Sequence, residues 1–115
     1  LAAAPAQAFI ASNGLVVEAE GAGTFSVPYR GQSGAPAFWC AAAEYAQRKL
    51  GAGSTDLLWR LSEPPRRSGQ GIRFSLNPAG HASSTGLFSF GSNDGSLTVA
   101  FAQRLCERNI PTPVD

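Results

Sequence analysis

Only one stretch of this chain carries a helical period, and short alternating runs lie on both sides of it. That arrangement narrows the possible folds sharply. Parallel strands need crossovers of a dozen or more residues, usually helical, whereas antiparallel strands can follow one another through tight turns. With one helical stretch available, most strands must pair antiparallel. The expected architecture is α+β, an antiparallel sheet of about five to six strands packed on one α-helix at residues 34–50. A closed or strongly curved sheet with the helix plugging one end is the alternative.

Within the helical stretch Trp39, Ala42, Ala43, Ala46 and Leu50 share one stripe, while Glu44, Gln47 and Arg48 lie opposite. Ser33 is available as an N-cap, and Pro36 falls in the first turn, where its missing N–H costs nothing. Gly51 supplies a left-handed stop. The alanine stripe permits close approach to a sheet, with Trp39 and Leu50 as the larger anchors. Cys40 projects from the flank of this stripe, and Phe38 and Tyr45 border the other side.

Among the strand signals Asn13-Gly14 is the strongest turn, and it predicts a hairpin joining Phe9-Ile10-Ala11 to residues 15–20. Leu15, Val17 and Ala19 are expected inward. Residues 24–29 alternate, with Phe25, Val27 and Tyr29 on one face, and Pro28 places this strand at an edge or ends it. Further strands are expected at 57–62, 72–76, 87–90 and 97–102. Their inward sets are Leu57, Trp59 and Leu61; Ile72, Phe74 and Leu76; Phe88 and Phe90; and Leu97, Val99 and Phe101. Ser92-Asn93-Asp94-Gly95 turns between the last two strands. Residues 63–71 and 77–86 read as loops rich in Pro, Gly and Ser.

A length of 115 residues suits one core, so residues 9–110 are read as a single α+β domain, with 1–8 a signal-peptide remnant or flexible end and 111–115 an extended tail. The remnant reading rests on Ala6-Gln7-Ala8, which has the small-x-small form of a signal peptidase site. No run approaches the roughly 18 apolar residues of a membrane span. The abundance of arginine beside a single lysine, Lys49, matches a GC-rich bacterial coding bias. With a formal charge of +1 there is no field to gather phosphate backbones, so nucleic acid is not an expected partner. Two cysteines, Cys40 and Cys106, are expected to form a disulfide that closes a loop of more than sixty residues, which fits a periplasmic or extracellular location.

Catalytic equipment is scarce. His81, the only histidine, lies in a serine-bearing loop where it could serve as general base to a hydroxyl, with Glu63 or Asp94 as orienter; polar loops carry serine for turn reasons, so the solvated-loop reading is preferred. One histidine and two bridged cysteines fall short of a zinc site, and no cofactor or metal is expected. Ser92-Asn93-Asp94-Gly95 lacks the spaced acidic series of a calcium loop. Glu18 and Glu20 share a strand face, but one turned to solvent. Gly21-Ala22-Gly23 and Gly69-Gln70-Gly71 precede no helix and read as connections rather than phosphate cradles. Pro64-Pro65-Arg66-Arg67 is more distinctive, because adjacent arginines on a proline-stiffened loop could grip a carboxylate, a phosphate or an acidic surface. Trp39 and Trp59 each have a core explanation, leaving no aromatic for ring stacking.

The functional expectation is therefore a small exported noncatalytic binding module. Arg66, Arg67 and His81 are its candidate ligand-binding residues, and an envelope protein or a small anionic ligand is its partner. The alternative is a small hydrolase using His81 with a loop serine or carboxylate.

Overall fold

A computed structural model describes residues 8–21, 23–30, 34–67, 69–87 and 94–107. Six strands form one antiparallel sheet: β1 (Phe9–Ile10), β2 (Val16–Gly21), β3 (Thr24–Val27), β4 (Leu57–Arg60), β5 (Ile72–Ser75) and β6 (Ser96–Thr98). Helix α1 (Ala35–Leu50) follows β3, and a short helix α2 (Val99–Arg104) follows β6. The strand order is β1-β2-β3-β5-β4-β6, so the chain crosses over through α1 and β5 returns to fill the gap between β3 and β4. Among the described strands β1 and β6 stand at the two ends of this order. No described helix is long and apolar enough to cross a membrane.

Local chemistry explains the elements. At the Asn13 turn the side chain accepts from the Leu15 N–H and donates to the Ala37 carbonyl, tying the β1–β2 hairpin to the helix. Helix α1 opens at Gly34 with Pro36 in its first turn and no side-chain cap; Ser33 lies outside the described residues. It stops at Gly51, φ 71°, where the N–H groups of Gly51 and Ala52 reach the Ala46 carbonyl. The last expected strand, 97–102, is corrected: it ends at Thr98, whose Oγ1 accepts from the Phe101 N–H at 3.1 Å and so caps α2. A threonine three residues before the first free N–H competes with strand continuation because it satisfies a helix donor locally.

Register sorts the sheet into two faces. Phe25 pairs with Phe74 and Val27 with Ile72, and Arg60 with Phe74 and Leu58 with Leu97 continue that inner row across β4 and β6. Helix α1 covers this face with Phe38, Trp39, Ala42, Ala43, Tyr45 and Ala46, all buried. The Trp39 ring meets Phe74 edge-on at 4.9 Å, and Tyr45 lies against Phe25 at 4.7 Å. The alanines let the helix approach closely, as their volume implies. Leu50 does not anchor it; this residue is exposed at the last turn. Ala19 is likewise exposed, at a register shift near the end of β2.

β4 inverts the expected orientation. Leu57, Trp59 and Leu61 do share a face, but it is the outer one, and Leu58 and Arg60 point to the core. Leu57 is 43% exposed and Trp59 half-buried, whereas Leu58 and Arg60 are fully buried.

Cys40 and Cys106 form the expected disulfide, with Cα atoms 4.9 Å apart, pinning α1 to the chain just beyond α2. Gly71 marks another constraint. A Cβ there would fall far inside contact distance of the Val27 carbonyl oxygen and 2.7 Å from the Pro28 Cα, both backbone atoms that cannot swing away. Gly71→Ala is therefore expected to cost about 3 kcal/mol, at the upper end of overpacking effects, seen as a lower urea midpoint. Phe88, Phe90, Ser92, Asn93, the Ala6-Gln7-Ala8 triplet up to Gln7 and the 111–115 tail lie outside the described residues.

Candidate functional site

The helices occupy the inner face, which leaves the outer face to carry chemistry. It divides into two halves. Over β2, β3 and β5 it is polar: Glu18, Ser26 and Arg73 align across the strands, and Arg73 Nε pairs with Glu20 Oε1 at 3.0 Å. Both partners are substantially exposed, so this pair contributes little stability. Both glutamates thus stand on solvent-facing chain, as a structural pair and its neighbour.

Over β4 the face is aromatic. The His81 ring lies against Trp59 with centroids 4.9 Å apart and planes tilted by 39°. The loop after β5 delivers it: Asn77 accepts from the Ala79 N–H, the His81 N–H bonds the Pro78 carbonyl, and the Ala82 N–H bonds the Arg60 carbonyl in β4. His81 Nδ1 is 2.7 Å from the Ala82 carbonyl oxygen. A carbonyl only accepts, so Nδ1 carries the proton, and in the neutral ring Nε2 is left as an acceptor. Beside Trp59 opens a cavity of about 570 Å3 walled by Thr55, Asp56, Leu57, Leu76 and Pro78. Asp56 is held in place by the Gly53 N–H, which donates to Oδ2 at 2.7 Å.

A second cavity, of about 520 Å3, lies at the other end of β4 and β5, between Ser26, Pro28, Ser62, Glu63, Gln70 and Arg73. Its charged groups already have partners. Glu63 accepts from the Ser83 N–H at 2.9 Å and from its Oγ at 2.7 Å, and Arg73 holds Glu20.

The structure separates the residues singled out in the sequence. His81 is on the aromatic half, with no serine or carboxylate bonded to its ring among the described residues. Ser83, the serine bonded nearby, belongs to Glu63. Asp94 Oδ1 accepts from the N–H and the hydroxyl of Ser96, within its own turn. Arg66 is packed between aromatic rings, its guanidinium carbon 5.0 Å from the Phe38 centroid and 5.6 Å from that of Tyr29, with Nη1 donating to the Gln70 carbonyl at 3.0 Å. Arg67 is exposed.

Trp59 is the residue that sequence reasoning misplaced, since its alternation partners look like core. One signal pointed the other way. Leu58 lies between Leu57 and Trp59, so the face opposite the tryptophan also offers a large apolar side chain to the core.

Comparison with protein-family models, with characterised proteins and with solved structures returned no match to this chain.

Proposed function

We propose that this protein is a small exported binding module without catalysis of its own, and that it takes a hydroxyl-bearing ring compound, of the saccharide class, on the aromatic half of its outer face. The observation that carries the reading is the Trp59–His81 pair at the rim of a cavity whose wall includes Asp56 and Thr55. An indole offers a flat apolar surface to the C–H face of a sugar ring. The polar groups in the wall, the Asp56 carboxylate and the Thr55 hydroxyl, can accept from a ligand's hydroxyl groups. A carboxylate in the wall disfavours an anionic ligand at this cavity. The cavity is open to solvent, so a ring would lie against Trp59 rather than be enclosed.

Export is supported by the Cys40–Cys106 bridge, because such bonds persist in oxidising compartments. An envelope protein or small anion held by the 66–67 loop is the competing occupant. Arg67 carries that reading, since Arg66 is occupied with Tyr29 and Phe38. The hydrolase reading would need His81 to gain a hydroxyl or carboxylate partner on binding.

Tryptophan emission separates these readings, because Trp39 is buried and bonded to the Thr85 carbonyl while Trp59 borders the cavity. Titration with cellotriose, maltotriose and chitotriose is expected to give a saturable change with at least one. Trp59→Ala should abolish it and Asp56→Asn weaken affinity by roughly tenfold, the worth of one charge-assisted hydrogen bond. Arg67→Glu should leave it intact, and no new reducing ends should form. A flat response to all three sugars would remove the saccharide class, and cleavage lost in His81→Ala would favour the hydrolase.

A further inference from the structure

The Cys40–Cys106 bridge has a third member. Glu44 stands one turn after Cys40 on α1, which places both on one side of the helix, and its Oε2 approaches Cys40 Sγ at 3.9 Å and Cys106 Sγ at 3.7 Å. A disulfide has no S–H to donate, so neither approach is a hydrogen bond. The carboxylate is half-buried, and among the described residues no cation pairs with it. Its bonds go to the turn between β1 and β2: the Ser12 N–H donates to Oε1 at 2.8 Å and the Ser12 hydroxyl to Oε2.

We propose that reduction of this disulfide creates a Zn2+ site with Cys40, Cys106 and Glu44 as its three protein ligands. The donor atoms lie within 4.8 Å of one another. Zinc takes sulfur at about 2.3 Å and carboxylate oxygen at about 2.0 Å in a tetrahedron, which requires S···O edges of about 3.5 Å and an S···S edge of about 3.8 Å. Both S···O approaches are already within a few tenths of an ångström of that requirement. Only the S···S edge has to open, from a covalent bond, and cleavage of that bond is what releases it. Ser12 supplies the outer support expected of a ligating carboxylate, holding both oxygens while leaving a lone pair of Oε2 toward the sulfurs. Cys106 and Glu44 are half-buried rather than sealed, so a water can complete the fourth position.

The chemistry balances. A dithiol reductant passes two electrons and two protons to the bridge, breaking its S–S bond, and becomes a disulfide itself. Zn2+ then displaces the two thiol protons while Glu44 binds as the carboxylate. The oxidised protein has neither thiolate and holds no zinc at this place.

Cobalt(II) is the probe, because a thiolate–cobalt bond adds a charge-transfer absorption that hydrated cobalt lacks. The protein is reduced with a phosphine, freed of it under nitrogen and titrated with Co2+, then with Zn2+. The expected result is a 1:1 band that Zn2+ bleaches, absent from the oxidised protein. Glu44→Gln should weaken cobalt binding at least tenfold, and Ser12→Ala, which removes a positioning hydroxyl, by roughly tenfold. No band in the reduced, folded protein, or equal affinity in Glu44→Gln, overturns the site. Should reduction abolish the near-ultraviolet dichroism, Zn2+ is expected to restore it in the wild type and not in Glu44→Gln; failure to restore it in the wild type also overturns the proposal.

Discussion

Replacing both bridging cysteines by serine is expected to lower the stability of the protein by about 4 kcal/mol. The bridge joins positions 66 residues apart, and in the chain-entropy account a loop of that length removes a large set of conformations from the unfolded chain. It also acts beside a short element. Helix α2 is only six residues long and stays beside α1 through Val99, Ala102 and Leu105, the tether at Cys106 and the bond between the Gln47 and Gln103 side chains. Urea unfolding of the Cys40→Ser/Cys106→Ser variant in the absence of divalent metal is the measurement. The midpoint should fall and the slope rise, because the unbridged chain exposes more surface when it unfolds. An unchanged midpoint would mean that the packed helices hold themselves and that the bridge adds nothing.

Arg60→Ala is expected to cost about 3–5 kcal/mol, from the cavity left by a large buried side chain together with buried carbonyls that lose donors. Arg60 is fully buried on the inner face, opposite Phe74. Its Nε donates to the Ser62 carbonyl at 2.7 Å and its Nη1 to the Thr85 carbonyl at 3.0 Å. The Thr85 oxygen also accepts from Trp39 Nε1 at 3.0 Å, so arginine, helix and returning loop share one acceptor. Truncation would leave a cavity and remove the N–H groups that these carbonyls face. Arg60→Lys retains the charge without the planar fork and should fall between wild type and alanine. Urea midpoints of the two variants test this. A wild-type midpoint for Arg60→Ala would show that the loop carbonyls find other donors at no cost.

Arg60 also shows why part of the fold was legible and part was not. Elements whose cause is local could be read directly. Asn13-Gly14 made its hairpin, Pro36 and Gly51 bounded the helix within a residue or so, and the alternation in 24–27 and 72–75 put Phe25, Val27, Ile72 and Phe74 inward. Helix α2 was legible in principle, because Thr98 is a good N-cap followed by Ala100, Ala102, Gln103 and Arg104, but Leu97, Val99 and Phe101 also spell a strand. The cap outweighed the alternation once the segment could pack on α1.

The candidate site was less legible, because its residues acquire meaning from neighbours distant in sequence. His81 looked like a solvated loop residue until the loop set it on Trp59, and Glu44 like a solvent-facing helix residue until Cys106 came within reach. Arg66 looked like a free cation, and its aromatic neighbours Tyr29 and Phe38 come from before and within α1.

By itself the sequence determined the class of fold, the place of the main helix, the pairing of its two cysteines and the phase of alternation in β3 and β5, because each follows from side-chain size, backbone freedom or simple count. The tertiary structure alone decided which phase of β4 faces the core and that β5 lies between β3 and β4. β4 carries Leu57 and Trp59 on one side and Leu58 with Arg60 on the other, so alternation alone favours burying the first pair. The choice fell to long-range packing, in which Leu58 meets Leu97 and the carbonyls of Ser62 and Thr85 accept the Arg60 guanidinium. That choice sends Trp59 to the outer face, where the proposed ligand surface begins.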